Sequence, residues 1–295
     1  MPIVWLNGEY VDESAAAVSI RDTGLLHGIG VFTTLRCANG RPVRIDAHLA
    51  RLRDSCDAFL IPHAYKDADL QSAAEELLDR NGTADARMRI TVTRGTVEID
   101  PVHGPHARPN VFITAGPFEP YPAEYYDKGM TVLVIDEHKL NPYDPQAGHK
   151  TLNYLSRLTA LREAGRRGAG EALWFNVHNY LQSGCVSNVF LVKAGKLLTP
   201  PTPAELHGEV VKSATPYPRS AVLPGVTRAA VLAAAEDASI DVELRGLTID
   251  DLLSADEVFL TNSIMNVMPV CRVERKPIGN DKPGPITRRL AEAIA

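Results

Sequence analysis

The stretch Ala147-Gly148-His149-Lys150-Thr151-Leu152-Asn153-Tyr154-Leu155 decides how this chain reads. It sets a lysine in a glycine-bearing loop that runs into an apolar helix carrying Leu155, Leu158 and Leu161. Most lysines are solvated surface groups. Here Tyr154 and Leu155 carry the chain inward, and the Lys150 ammonium is left little water. Burial disfavours the charged form, so a partly desolvated lysine becomes a usable amine nucleophile or base. That is the chemistry of a Schiff-base enzyme.

The bulk numbers are those of a soluble globular chain. It has 295 residues, 45% hydrophobic and 23% charged, enough for two domains or one large one. A net charge of −5 and the lack of any Lys/Arg block exclude a nucleic-acid binder. No apolar stretch approaches the roughly 20 residues of a membrane span. Met1-Pro2-Ile3-Val4-Trp5-Leu6-Asn7-Gly8-Glu9 reads as a strand and turn, without the regions of a signal peptide. Cys37, Cys56, Cys185 and Cys271 lie far apart with no CxxC pair, as expected of reduced thiols in a cytoplasmic protein. His103-Gly104-Pro105-His106 has no third ligand nearby, so no metal is expected.

Working outward, Asn7-Gly8 separates strands Val4–Leu6 and Tyr10–Val11, and Asn39-Gly40 separates Val31–Cys37 from Val43–Ile45. Asp46 is expected to cap a helix with Leu49, Leu52, Cys56 and Phe59 on one face. A second helix spans roughly residues 68–79, and strands follow at Met88–Thr93 and Val111–Thr114. Gly116-Pro117-Phe118-Glu119-Pro120-Tyr121-Pro122 reads as a proline-stiffened linker. Strands and helices alternate beyond it to the last helix, near 286–294. The expectation is a two-domain α+β protein with largely antiparallel sheets: a smaller domain over 1–118, a linker over 119–123 and a larger domain over 124–295. The active site is expected between the domains.

Three segments offer groups for an anion. Leu223-Pro224-Gly225-Val226-Thr227-Arg228 leads into a helix, where the N–H groups of Val226 and Thr227 can hold one; a plain Thr cap reads equally well. Thr261-Asn262-Ser263 sits at a strand end, as donors or as a bland turn. Arg51, three residues after His48, reads singly as a solvated or salt-bridged arginine.

Taken in order, these segments resemble the class IV aminotransferases, the fold-type-IV pyridoxal-phosphate enzymes. The likeness runs through Ser19-Ile20-Arg21-Asp22-Thr23-Gly24-Leu25-Leu26-His27-Gly28-Ile29-Gly30-Val31-Phe32 and His48-Leu49-Ala50-Arg51-Leu52. It continues through Val92-Thr93-Arg94-Gly95, the Lys150 segment, Gly184-Cys185-Val186-Ser187-Asn188-Val189-Phe190 and Pro224-Gly225-Val226-Thr227-Arg228. The resemblance implies pyridoxal 5'-phosphate (PLP) as cofactor and a homodimer. It implies that Lys150 forms the Schiff base and shuttles the proton. By the same likeness Arg51, Val226, Thr227, Asn262 and Ser263 hold the phosphate, Tyr154 meets the ring hydroxyl and Leu223 packs on the ring face.

Two departures stand out. Where the family usually has a glutamate that pairs with the pyridine nitrogen, this chain has Ser183, with Gln182 expected on the other face of the strand. Residues 202–223, including Glu205-Leu206-His207-Gly208-Glu209, are longer than the family's usual passage; a surface loop and a lid both remain open.

Three activities follow from the likeness. The first is an aminotransferase acting on an amino acid and a 2-oxo acid, read from the Lys150 segment and Gly170-Glu171-Ala172-Leu173. The second is a 4-amino-4-deoxychorismate lyase releasing pyruvate and 4-aminobenzoate, read from Phe32-Thr33-Thr34 and the stretch from Thr261 to Val270. The third is a weakly active PLP-binding protein, suggested by Ser183 alone. Against the lyase, residues 96–106 hold no arginine for a dicarboxylate, only His103 and His106.

Overall fold

Two Asn-Gly pairs start the first sheet. Asn7 and Gly8 take φ of 51° and 100°, Asn39 and Gly40 take 52° and 73°, and both pairs close two-residue hairpins. Asparagine and glycine tolerate this left-handed backbone, which matches the twist of the flanking strands. The computed structural model describes residues 1–100, 104–207 and 219–295. Its chain forms two compact units, Met1–Glu119 with His149–Asn153, and Pro120–Gly148 with Tyr154–Ala295.

The first unit contains β1 (Ile3–Leu6), β2 (Glu9–Asp12), α1 (Thr23–His27), β3 (Gly30–Ala38), β4 (Arg41–Pro42), α2 (Ile45–Ala58), α3 (Asp67–Arg80), β5 (Ala86–Asp100) and β6 (Gly104–Pro117). The strands pair antiparallel throughout, in the order β2-β1-β6-β5-β3-β4. Leu49 and Leu52 of α2 and Leu77 of α3 pack with Leu35, Met88, Ile90 and Ile113 of the sheet in one core. Val43–Ile45 is not a strand, and Asp46 is not the cap. The helix begins at Ile45 behind Arg44, whose φ of 55° turns the chain, and Asp46 lies in the first turn. There its charge still favours the positive helix end.

The second unit contains α4 (Ala123–Lys128), β7 (Met130–Leu140), α5 (Leu155–Arg166), β8 (Glu171–Asn176), β9 (Leu181–Gly184), β10 (Asn188–Lys193), β11 (Lys196–Thr199) and α6 (Pro203–His207). It continues with α7 (Val226–Asp237), β12 (Val242–Leu244), α8 (Ile249–Leu253), β13 (Glu257–Asn262), β14 (Asn266–Val273), β15 (Lys276–Pro277) and α9 (Pro285–Ala293). The sheet order is β12-β11-β10-β13-β14-β7-β8-β9, with β15 on β14. Most pairs are antiparallel, as expected, but β11/β12, β14/β7 and β7/β8 run parallel. Helix α5 lies between β7 and β8 in the chain, and parallel neighbours need such a crossover. All six residues of β8 are buried, as parallel strands covered on both faces require. Phe190 and Phe259 stack at 4.9 Å in a core shared with Val231 of α7 and Leu290 of α9.

Helix α5 also corrects the sequence reading. Leu155 is 82% and Leu158 52% exposed, while the helix buries Ala160 and Ala164. Small side chains let the helix approach its sheet closely; Leu161 packs partly buried against that core, while Leu155 and Leu158 stay outside. No helix among the described residues is long and apolar enough to cross a membrane.

Candidate active site

In the first unit, the Lys150 segment is laid along the end of β3. Phe32 N donates to Lys150 O at 2.9 Å, Leu152 N donates to Gly30 O at 3.0 Å, and Val31 bridges Thr151. Gly30 permits this approach, since a Cβ there would stand 2.6 Å from the Leu152 side chain and 2.8 Å from Val92 O. Gly28, with φ of 69°, likewise leaves room for Asn153, whose Oδ1 lies 2.2 Å from where a Cβ would sit. Gly28 and Gly30 thus make space for the lysine segment.

Lys150 is half-buried, with Nζ 4.5 Å from the centroid of the buried Phe32 ring. The Arg89 guanidinium is 3.6 Å from the same centroid, an arginine that sequence reasoning passes over because it lies inside a strand pattern. Arg51 Nη2 donates to Thr33 Oγ1 at 2.9 Å, and that oxygen lies 2.6 Å from His48 Nδ1. Burial, then the charges of Arg51, Lys150 and Arg44, push the His48 imidazole down to about 3. His48 is therefore neutral at ordinary pH and adds no charge beside the amine. Next to Lys150, His149 Nδ1 lies 3.0 Å from Ser55 Oγ, which itself donates to Arg51 O. The lysine segment and the Arg51 turn of α2 are thus tied through two side chains.

In the second unit, Gly225 is the N-cap of α7, so the first N–H groups of the helix face its open positive end. A Cβ on Gly225 would stand 2.0 Å from Asn188 Oδ1, and Asn188 Nδ2 donates to Leu223 O at 2.9 Å. Asn188 pairs across strands with Thr261, so the two side chains share a face of the sheet. Thr227 is buried, and Thr261 Oγ1 is buried without a hydrogen-bond partner among the described residues. The Asn262 side chain is spent on its own turn: Oδ1 accepts from Ile264 N and Met265 N, and Nδ2 donates to Val186 O. The Asn262 amide thereby shapes the turn that carries Ser263. Buried Arg228 donates to both oxygens of Glu205, which accounts for part of the long 202–223 passage. Residues 208–218 of that passage, and His103, lie outside the described residues, as does the His106 side chain.

Ser183 is buried on β9, and Tyr154 is the N-cap residue of α5. The loop after Ser183 is organised by Glu171, fully buried, which accepts from the N–H groups of Ala172, Cys185 and Val186 and from the Ser187 hydroxyl. In the sequence Glu171 stands only as part of a motif. Its role as an anion behind the loop depends on a pairing of β8 with β9 that no local pattern reveals. Among the described residues no group of three or more His, Cys, Asp or Glu could hold a metal.

The profile described as amino-transferase class IV matches residues 30–273. A protein named as a putative branched-chain-amino-acid aminotransferase from Methanocaldococcus jannaschii is 32% identical over 291 residues, covering 98% of this chain and 94% of that one. A crystal structure of the branched-chain amino acid aminotransferase of Escherichia coli superposes with a TM-score of 0.86 at 30% identity, over 98% of this chain and 92% of that one. The 4-amino-4-deoxychorismate lyase of Pseudomonas aeruginosa superposes with a TM-score of 0.80 at 29% identity, over 98% and 97%.

The neutral state of His48 predicts an acid-sensitive fold. The unfolded chain takes up a proton at His48 below its ordinary value of 6.5, but the native chain does so only near 3. The contribution is complete above about pH 6.5 and is lost as pH falls towards 3. Urea unfolding across this window should show a steeper loss of stability in the unmodified protein than in His48→Gln, by on the order of 1 kcal/mol per pH unit. Parallel pH profiles would refute it.

Proposed function

This chain belongs to the class IV aminotransferases, and from that premise we propose that it moves an amino group between an amino acid and a 2-oxo acid with Lys150 as the reacting residue. Class IV aminotransferases are PLP-dependent, and we take PLP as the cofactor here. The donor set fits such a phosphorylated aromatic group. The first unit offers the amine of Lys150 and the Arg51 guanidinium; the second, by itself, offers the helix end at Val226 and Thr227 and the buried Thr261 hydroxyl, which has no partner among the described residues. The observation that carries the reading is the pair of backbone hydrogen bonds, at Lys150 O and Leu152 N, that hold the lysine segment along β3.

When bound, the cofactor supplies an electron-withdrawing ring that stabilises charge at the substrate carbon bearing the amino group. Lys150 Nζ holds the cofactor covalently and, once displaced, takes the proton from that carbon and returns it. Neutral His48 leaves this amine without an added imidazolium nearby. Arg51, Val226, Thr227, Asn262 and Ser263 are assigned to the phosphate, with Asn262 acting through its turn. Tyr154 is assigned to the ring hydroxyl, Leu223 to the ring face and Ser183 to the ring nitrogen.

A second reading is an elimination of the 4-amino-4-deoxychorismate lyase type. Ser183 favours it, since a hydroxyl withdraws less charge through the ring than the usual carboxylate pairing. An elimination driven by formation of an aromatic product tolerates that loss better.

We also propose a homodimer. The family likeness supports it, and Ile20, Leu25 and Leu26 of the first unit and Leu155 and Leu158 of the second, all more than half exposed, are apolar side chains that a partner subunit could cover.

Three measurements bear on these assignments. Purified protein given amino acids with 2-oxo acids, or aminodeoxychorismate, should exchange amino groups, and Lys150→Ala should abolish the exchange. Pyruvate and 4-aminobenzoate released without exchange would instead establish the lyase. Arg51→Ala should weaken cofactor affinity about tenfold or more, because a charged hydrogen bond is worth roughly 1.5–3 kcal/mol; equilibrium titration reads this directly, and an unchanged affinity removes Arg51 from the phosphate. Sedimentation at micromolar concentration should find a dimer, and a fully active monomer would rule it out.

A further inference from the structure

At the position where an acid is expected, this chain has built a cation. Arg157, in the first turn of α5, directs Nη1 at the start of the 183–188 loop. It donates to Gly184 O at 2.9 Å, to Cys185 O at 3.2 Å and to Ser183 Oγ at 3.3 Å. Among the described residues no carboxylate pairs with Arg157. The nearby groups that could replace an acid are committed elsewhere. Glu171 spends its oxygens on Ala172, Cys185, Val186 and Ser187. Gln182 accepts from Ala221 N and donates to Leu181 O, on the other side of the strand.

The direction of these hydrogen bonds matters more than their number. A guanidinium can only donate, so Ser183 Oγ accepts from Arg157 and keeps its own O–H for another acceptor. No acceptor for that proton is found among the described residues, although Ser183 is buried. A buried hydroxyl wired in this way is a donor awaiting an acceptor. A pyridine nitrogen meets that need only without its proton. Hydrogen-bond polarity decides here and not net charge, because the buried Glu171 carboxylate bonds the same loop as the Arg157 guanidinium.

We propose that Arg157, acting through Ser183, holds the cofactor's ring nitrogen unprotonated. This rests on the assignment of Ser183 to that nitrogen. Arg157 is a positioning residue, and it reverses the polarity that a carboxylate at 183 imposes. The ring then draws charge less strongly, and the enzyme depends more on Lys150 and on cationic groups near the substrate.

The test is nitrogen magnetic resonance on holoenzyme reconstituted with ring-¹⁵N-labelled PLP, with borohydride reduction and peptide mapping of the same sample. The ring nitrogen of the unmodified protein should resonate as an unprotonated pyridine across the pH range in which the protein stays folded. Arg157→Met should raise the proton affinity of that nitrogen at least tenfold, and Ser183→Glu should protonate it outright. Arg157→Lys should leave the signal near its original position. A protonated nitrogen in the unmodified protein, with the label on Lys150, overturns the proposal and leaves the cofactor assignment standing. No pyridoxyl group on Lys150 overturns both. If Arg157→Met does not fold, Ser183→Ala must shift the titration in the same direction, and an unmoved titration overturns the proposal.

Discussion

Two backbone hydrogen bonds, Phe32 N to Lys150 O and Leu152 N to Gly30 O, hold the backbone of the lysine proposed to react. They draw residues 149–153 onto the first unit's sheet, although the sequence on either side belongs to the second unit. Much of the local design serves this contact. Gly28 and Gly30 have no side chains because Asn153 and Leu152 occupy that space. Phe32, next along the strand, offers its ring to the Lys150 ammonium, and a cation held over a ring gives up less stability than one left unpaired in an apolar setting. His149 adds a side-chain tie through Ser55 to the turn of α2 that carries Arg51. An amine held by backbone bonds on one side and by the His149 side chain on the other would not have to be ordered again in each turnover.

The second unit solves a different problem, that of holding buried polar loops without water. Glu171 satisfies four donors of the 183–188 loop and its neighbourhood, and an uncompensated backbone N–H there would cost about 1–3 kcal/mol. Asn188 then joins this loop to the Leu223–Gly225 turn, and Asn262 joins it to the end of β13. The buried carboxylate behind the loop and the guanidinium of Arg157 beside it carry opposite charges but separate tasks. One shapes the backbone, and the other sets what Ser183 can offer.

How much of this was legible varied with the range of the interaction. The Asn-Gly hairpins, the α2 stripe of Leu49 and Leu52 and the end of α3 were readable because they depend on neighbours a few residues away. The start of α2 was misplaced because Arg44, not an ordinary capping residue, turns the chain there in a left-handed conformation. Leu155 and Leu158 of α5, unlike Leu161, were read inward wrongly because periodicity reports amphipathicity, not which face finds a partner. The parallel pairs were missed because antiparallel and parallel strands can carry the same local pattern once both faces are buried.

The sequence by itself determined the family, the lysine to which that likeness assigns the chemistry and the serine at 183 where the family usually has an acid, since these are matters of residue type in a given order. Only the tertiary structure decided what stands in for that acid. Arg157 and Ser183 are 26 residues apart, and Glu171 reaches Cys185 across 14. Such contacts follow from how α5, β8 and β9 pack. A strand or helix signal in the sequence fixes which way a side chain alternates, but not which distant group will lie within hydrogen-bonding distance of it.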